Sequence, residues 1–257
     1  MIKALIRNTT FYTYLKFFRK RFFPSHSQLE EESQIPAKMI FYGQFIRPGM
    51  LCFDVGANIG NRTEVFLKLG ARVVAVEPQK DCARMLKIRF GKKITLINKA
   101  LGDAVKAGVL FKSDSSEISS MSRDWIDAVS KSRFNTRQWN RRESVSMTTL
   151  DSLISLYGLP DFCKIDVEGF EREVLSGLSK PIPCISFEYT IPERLESIAK
   201  CFHELQRMGE FDCNYATGES MALVLSRWIS PGEMMTTMER ISKETLFGDI
   251  YVRFKNR

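Results

Sequence analysis

The stretch FDVGANIGNRTEVFLKLGARVVAVEP, residues 53–78, places two apolar runs around a glycine-rich turn and a helical segment, and the second run ends in an acid. Short apolar runs flanking a helical period read as a strand–helix–strand unit. The pattern predicts strands at 51–55 and 72–77 and a helix at 58–69, closed by Gly70. In an open parallel sheet such a unit binds its ligand beyond the carboxyl ends of the strands. Gly56 lets the chain turn sharply, and Gly60 lets the helix lie close to the sheet. The backbone N–H groups of 58–61 are then expected to point outward at the helix N-terminus.

The rhythm continues outward from this unit. Helices are predicted at 80–90, 149–157, 170–178 and 192–208, and strands at 94–98, 162–166 and 184–189. The segments 211–215, 222–225 and 249–254 are further strand candidates, with 220–228 as a hairpin strand. Alternating strands and helices predict a doubly wound α/β sheet, and the closer spacing near the end predicts antiparallel strands finishing it. Residues 104–147 break the alternation with a Ser-, Arg- and Lys-rich stretch holding Trp125 and Trp139. A segment this long reads either as a substrate-binding cap over the ligand or as a solvated loop with one helix. Residues 230–238 are expected to pack on that cap.

Composition narrows the function classes. The net charge is +8, but residues 1–23 contribute six of those charges through Lys3, Arg7, Lys16, Arg19, Lys20 and Arg21 and contain no acid. The remainder is nearly neutral, so charge does not call for a broad nucleic-acid surface. Phe11, Tyr14, Leu15, Phe18 and Phe22 share one face of a helical reading of that basic segment. It is too interrupted by charge to span a membrane and lacks the apolar core of a signal peptide. It reads either as a helix touching an anionic membrane face or as a helix packed on the domain. The domain boundaries follow: 1–35 an extension and linker, 36–257 the folded domain. The six cysteines form no CxxC pair and read as free thiols of a reducing, cytoplasmic compartment. With only His26 and His203, histidine-based triads and metal sites are disfavoured.

The chemistry lies at the strand ends. A pyrophosphate-binding turn would carry glycine at position 58 and no acid before it, whereas this chain has Asn58 and Asp54. An acid there suits a ligand with an amino group, such as S-adenosylmethionine, and disfavours a nicotinamide dinucleotide. Glu77, at the tip of the second strand, is placed to accept both ribose hydroxyls. Asp166 ends an apolar strand, and Glu168 follows it in the run KIDVEGFE. Either could take a proton from an acceptor hydroxyl, and Glu188 at the end of the next strand is a third candidate. Asp166 and Glu168 could instead hold a hard divalent cation through oxygens. Glu171 and Glu173 read as acids favoured by a helix N-terminus.

Taken together, DVGANIG, INKALGD and KIDVEGFE resemble the FkbM-type methyltransferases, with the likeness running from about Pro48 to Glu188. The resemblance implies a Rossmann-like class I methyltransferase fold, with a seven-stranded, mostly parallel sheet and an antiparallel last strand. It implies S-adenosylmethionine as cofactor and O-methylation of a sugar, polysaccharide, glycolipid or natural-product hydroxyl. By position, Asp54, Gly56, Ala57, Asn58 and Gly60 match the motif that holds the methionine moiety. Glu77 and Pro78 match the ribose-binding end, and Asp103 matches the position that meets the adenine amino group.

Two alternatives stay open. An RNA methyltransferase would draw on Arg133, Arg137, Arg141 and Arg142, but the turn after Asp166 lacks the Pro-Pro-aromatic sequence that stacks a base. A catalytically inactive binding module on the same fold would be expected to have lost the motifs that are intact here.

Overall fold

The computed structural model describes residues 32–244 and 246–255. The expected extension 1–23 lies outside them. No helix among the described residues is long and apolar enough to cross a membrane.

Ten strands and eight α-helices are described. The strands are β1 Leu51–Val55, β2 Arg72–Val76, β3 Ile94–Ile97, β4 Ala100–Leu101, β5 Ala107–Lys112, β6 Arg141–Thr148, β7 Phe162–Ile165, β8 Cys184–Ile191, β9 Phe211–Thr217 and β10 Leu246–Phe254. The helices are α1 Ile35–Tyr42, α2 Asn61–Lys68, α3 Lys80–Phe90, α4 Arg123–Val129, α5 Leu150–Tyr157, α6 Glu171–Ser176, α7 Leu195–Gln206 and α8 Pro231–Ile241. Seven strands form one sheet in the order β3-β2-β1-β7-β8-β10-β9. β10 runs antiparallel to both neighbours, and every other pair in the sheet is parallel. The chain order reverses between β1 and β7, which makes their carboxyl ends the switch point where such sheets open a crevice.

The burial pattern explains why these runs are strands. β1 and β7 are buried at every position, as expected of strands covered on both faces. Alternate residues then feed two cores. Phe53, Val55, Val74, Val76, Cys163 and Ile165 share one with residues of α5, α6, α7 and α8. Cys52, Val73, Ala75, Phe162 and Tyr251 share the other with residues of α1, α2 and α3. Aromatic rings lock α1 to this second face: Tyr42 meets Phe66 and Phe162 edge-on, and the nearby Phe45 stacks on Tyr251 with centroids 5.1 Å apart. Such pairs add about 0.5–1.5 kcal/mol each beyond their area.

Four expectations are corrected. Residues 104–147 contain two strands besides the helix, and β4, β6 and β5 form a separate three-stranded sheet. Residues 222–225 are not a strand. The segment instead follows β9 irregularly: the Asn214 side chain bonds Leu225 N–H at 3.1 Å and Leu225 C=O at 2.8 Å, and backbone bonds join it to β9 only at Val224–Tyr215 and at the Cys213–Ile229 bridge. α8 does not pack on the cap, because Met234 and Met238 bury into the core shared with α7 and β9. The first helix of the nucleotide-binding unit starts at Asn61 rather than 58, since Asn58 and Gly60 both have positive φ (47° and 90°).

Gly56 sits at the reversal with φ 81°, and a Cβ there would overlap the carbonyl oxygen of Asp166. The loops leaving β1 and β7 therefore touch through bare backbone. Gly56→Ala is expected to destabilise the fold by about 2–4 kcal/mol, from backbone strain plus separation of the two loops. Urea unfolding of the variant against wild type checks this, and an unchanged midpoint would refute it.

Candidate active site

The crevice at the switch point is lined by residues from the ends of β1, β2, β4 and β7 and from the cap. Val55, Gly56 and Asn58 come from β1 and its turn, and Glu77, Pro78 and Gln79 follow β2. Ala100 and Leu101 form β4, and Asp166, Val167 and Glu168 leave β7. Ser116, Glu117, Ser119 and Met121 close it from the cap side.

Glu77 organises the floor. One carboxylate oxygen accepts the Asn58 N–H at 2.8 Å and the other the Gln79 N–H at 2.7 Å. The Asn58 amide is thus committed to Glu77, and the Gly60 N–H bonds Ala57 C=O, so the expected row of outward N–H groups is not present at those two positions. A carboxylate has about four lone-pair sites, so each oxygen retains acceptor capacity for a ribose hydroxyl. Burial pushes the Glu77 carboxyl up to about 7, with the two backbone N–H groups opposing the shift. The Gln79 side chain bonds the Ser116 carbonyl at 2.9 Å, and the Ser116 hydroxyl meets the Asn58 side chain at 3.3 Å. These contacts tie the cap to the floor of the crevice.

The predicted cofactor residues divide. Gly56, Asn58, Glu77 and Pro78 line the crevice together. Asp54 does not: it is buried beneath the turn, where it accepts the Thr63 hydroxyl. Burial raises its pKa, with the Thr63 bond opposing. Ala57 packs into the core beside α2. Gly60 serves the helix pair, since a Cβ there would overlap Phe90 of α3 rather than the sheet. Asp103 is not brought to the crevice. It lies in the exposed turn beyond β4 and pairs with Lys106 at 2.7 Å.

The three predicted acids do converge. Asp166, Glu168 and Glu188 each offer an oxygen, all within 4.8 Å of one another. Glu168 has φ 54°, an uncommon conformation for a side chain other than glycine, asparagine or aspartate. The turn that imposes it is held from both sides. Glu171 Oε1 accepts the N–H groups of Val167 at 3.2 Å and Gly169 at 3.1 Å, and the Ser120 hydroxyl donates to Glu168 C=O at 2.6 Å. Trp125 of α4 packs where a Cβ on Gly169 would stand. Burial, then the neighbouring acids, hold Glu168 and Glu188 well above the usual carboxylate range. Burial also lifts Glu171 to about 7. Glu171 opens α6, as its position suggests, and is at the same time a buried brace of the turn.

Lys164 went unnoticed because it sits inside an apolar strand. Its ammonium is 1% exposed and bonds Asp249 Oδ1 at 2.8 Å and Asp166 Oδ2 at 3.1 Å. Burial pulls its pKa down, but Asp166 and Asp249 outweigh burial and leave it well above the ordinary lysine value. Gln79 and Ser116 were likewise missed, and so were the bracing contacts of Glu171. Their signal exists only in contacts between segments far apart in sequence.

The profile of the Methyltransferase FkbM domain matches residues 54–225, more than half of the chain, and the chain belongs to that family. It is an S-adenosylmethionine-dependent methyltransferase. A ribosomal RNA small subunit methyltransferase A of Anaeromyxobacter dehalogenans is 45% identical over 51 residues, a match covering 20% of this chain and 18% of that protein. Among solved structures the chain is similar to a precorrin-6y C5,15-methyltransferase of Geobacter metallireducens, with TM-score 0.46, 9% identity and coverage of 85% and 86% of the two chains. It is also similar to a 1,6-didemethyltoxoflavin-N1-methyltransferase of Burkholderia thailandensis bound to S-adenosylhomocysteine, with TM-score 0.37, 12% identity and coverage of 95% and 90%.

The crevice fits the cofactor on its own terms. Glu77 is a buried acceptor for a diol, and the apolar walls of Val76, Ala100 and Leu101 suit a flat base. The ionised Glu77 is the form that accepts hydroxyls, and its pKa of about 7 places the transition near neutrality. Cofactor affinity is therefore expected to fall as pH drops through 7, by up to about tenfold per unit for one linked proton. Glu77→Gln should bind more weakly and lose that dependence. Calorimetric titrations between pH 5.5 and 8.5 test both, and a flat wild-type profile would refute the role.

Lys164→Met is expected to cost about 3–5 kcal/mol, since it leaves Asp166 and Asp249 without their cation. Adding Asp249→Asn should recover part of that loss. Urea unfolding of the two variants checks the coupling, and strict additivity would refute it.

Proposed function

We propose that the chain transfers the methyl group of S-adenosylmethionine to a hydroxyl oxygen of a carbohydrate or natural-product acceptor. The observation that carries this reading is the convergence of Asp166, Glu168 and Glu188, two of which line the cofactor crevice. The acceptor oxygen attacks the methyl carbon, the carbon–sulfur bond breaks, and S-adenosylhomocysteine leaves. The hydroxyl proton must go to a base, and these acids are the groups at hand. Most of the acceleration comes from aligning the oxygen with the methyl–sulfur bond. The base supplies about 10²–10⁴-fold more.

The arrangement of the cap arginines favours this reading over RNA. Arg133 is occupied by Glu193 at 3.1 Å and by the carbonyls of Ile191 and Leu246, and Arg137 pairs with Asp114 at 3.2 Å. Two of the four arginines that could meet phosphates are thus engaged within the chain.

The test measures S-adenosylhomocysteine release with panels of hydroxylated glycans and of RNA. Turnover with a glycan or small-molecule hydroxyl is expected, and Asp166→Asn should lower kcat by about 10²–10⁴ while cofactor affinity stays within about twofold. Turnover with RNA alone would overturn the acceptor class. Unchanged kcat in Asp166→Asn, Glu168→Gln and Glu188→Gln would overturn the role of the acids.

A further inference from the structure

Three carboxylates held this close repel one another unless protons or a cation intervene. Of the three acids Lys164 bonds only Asp166, through Oδ2, and it is shared with Asp249. Among the described residues no cationic side chain forms an ion pair with Glu168 or Glu188. The donor set is three oxygens and no nitrogen or sulfur, which is the preference of a hard divalent ion. Oxygens bound to such an ion at about 2.0–2.6 Å lie at most about 5 Å apart, and the three carboxylates fall inside that span at 4.8 Å.

A second feature lies beside one member of the cluster, Glu188. Glu188 and Glu171 line a small cavity together with Trp125, Arg194 and Ser197. Trp125 is 2% exposed, yet its indole N–H has no hydrogen-bond partner. The Arg194 Nε and the Ser197 hydroxyl in the same cavity are buried without partners as well. An indole N–H can only donate, and a buried donor left alone costs about 1–3 kcal/mol. An acceptor oxygen in this cavity, such as water held by an ion on Glu188, would satisfy these groups.

We infer that Asp166, Glu168 and Glu188 form a binding site for a hard divalent cation of the magnesium, manganese or calcium class, with Trp125 facing its water shell. The role of the ion rests on the methyl-transfer reading, since an ion here would hold the acceptor oxygen beside the cofactor. Its binding does not rest on that reading.

The experiment titrates the full chain with magnesium, manganese and calcium chloride by calorimetry, with and without S-adenosylmethionine, and follows manganese binding by paramagnetic resonance. One site per chain is expected. Binding should weaken at least about tenfold in Glu188→Gln and in Glu168→Gln, because each removes an ionised ligand. Circular dichroism of each variant establishes that the fold survives, and cofactor titration of Glu188→Gln, a residue outside the crevice lining, establishes that the cofactor crevice survives. A protein that binds S-adenosylmethionine but no cation up to about 10 mM, beyond the weakest range for such oxygen sites, overturns this inference alone. Cation binding that persists unchanged in both variants overturns the location. Cation binding without S-adenosylmethionine binding would leave the site standing and overturn the cofactor role of the crevice.

Discussion

A single buried ammonium ties the chemistry of this protein to its architecture. Lys164 lies in β7, at the centre of the sheet, and bonds Asp249 of β10 and Asp166 at the end of its own strand. A charge there is tolerable only because two carboxylates meet it, and each carboxylate depends on it in turn. The register of β10 against β8 sets Asp249 opposite Glu188. The antiparallel strand that completes the sheet therefore also delivers the counter-charge for the acid cluster. A shift of one residue in that register would turn Asp249 to the other face and leave Lys164 with Asp166 alone.

The second constraint is backbone against backbone. Gly56 brings the β1 turn onto the carbonyl of Asp166, so the cofactor crevice and the acid cluster share a wall. The cap is fastened to both halves: Ser116 meets Asn58 and Gln79 over the floor, while Ser120 and Trp125 brace the turn at Glu168–Gly169. Methyl transfer depends on alignment more than on strong acids or bases, and this double fastening is the kind of rigidity that alignment requires.

Much of the site was legible in the residues. The strand–helix–strand pattern of 53–78 put Glu77 at the tip of β2, where it lines the crevice, because that tip follows directly from the hydrophobic period. Asp166 was legible as an acid ending an apolar strand, where burial alone does not account for it. The misreadings have a common cause. Asp54 was expected to meet the methionine moiety, yet it is a buried acceptor satisfied by Thr63, and Glu171, which does open a helix as expected, also accepts two backbone amides. Asp103 looked like an adenine contact, yet the turn beyond β4 carries it to the surface and to Lys106. In each case the side-chain type was informative and its direction was not.

The sequence by itself determined the family, the succession of the central strands and helices along the chain and the identity of the groups available for chemistry, because period, turn residues and motif spacing are local properties. The strands of the cap were not read in the sequence, and β4 and β5 acquire meaning only when paired with β6. Only the tertiary structure decided which acids meet, what neutralises them and which donors are left without partners. Those outcomes depend on contacts between segments as far apart as Lys164 and Asp249, and on burial, which changes the charge state of a carboxylate without changing its letter in the sequence.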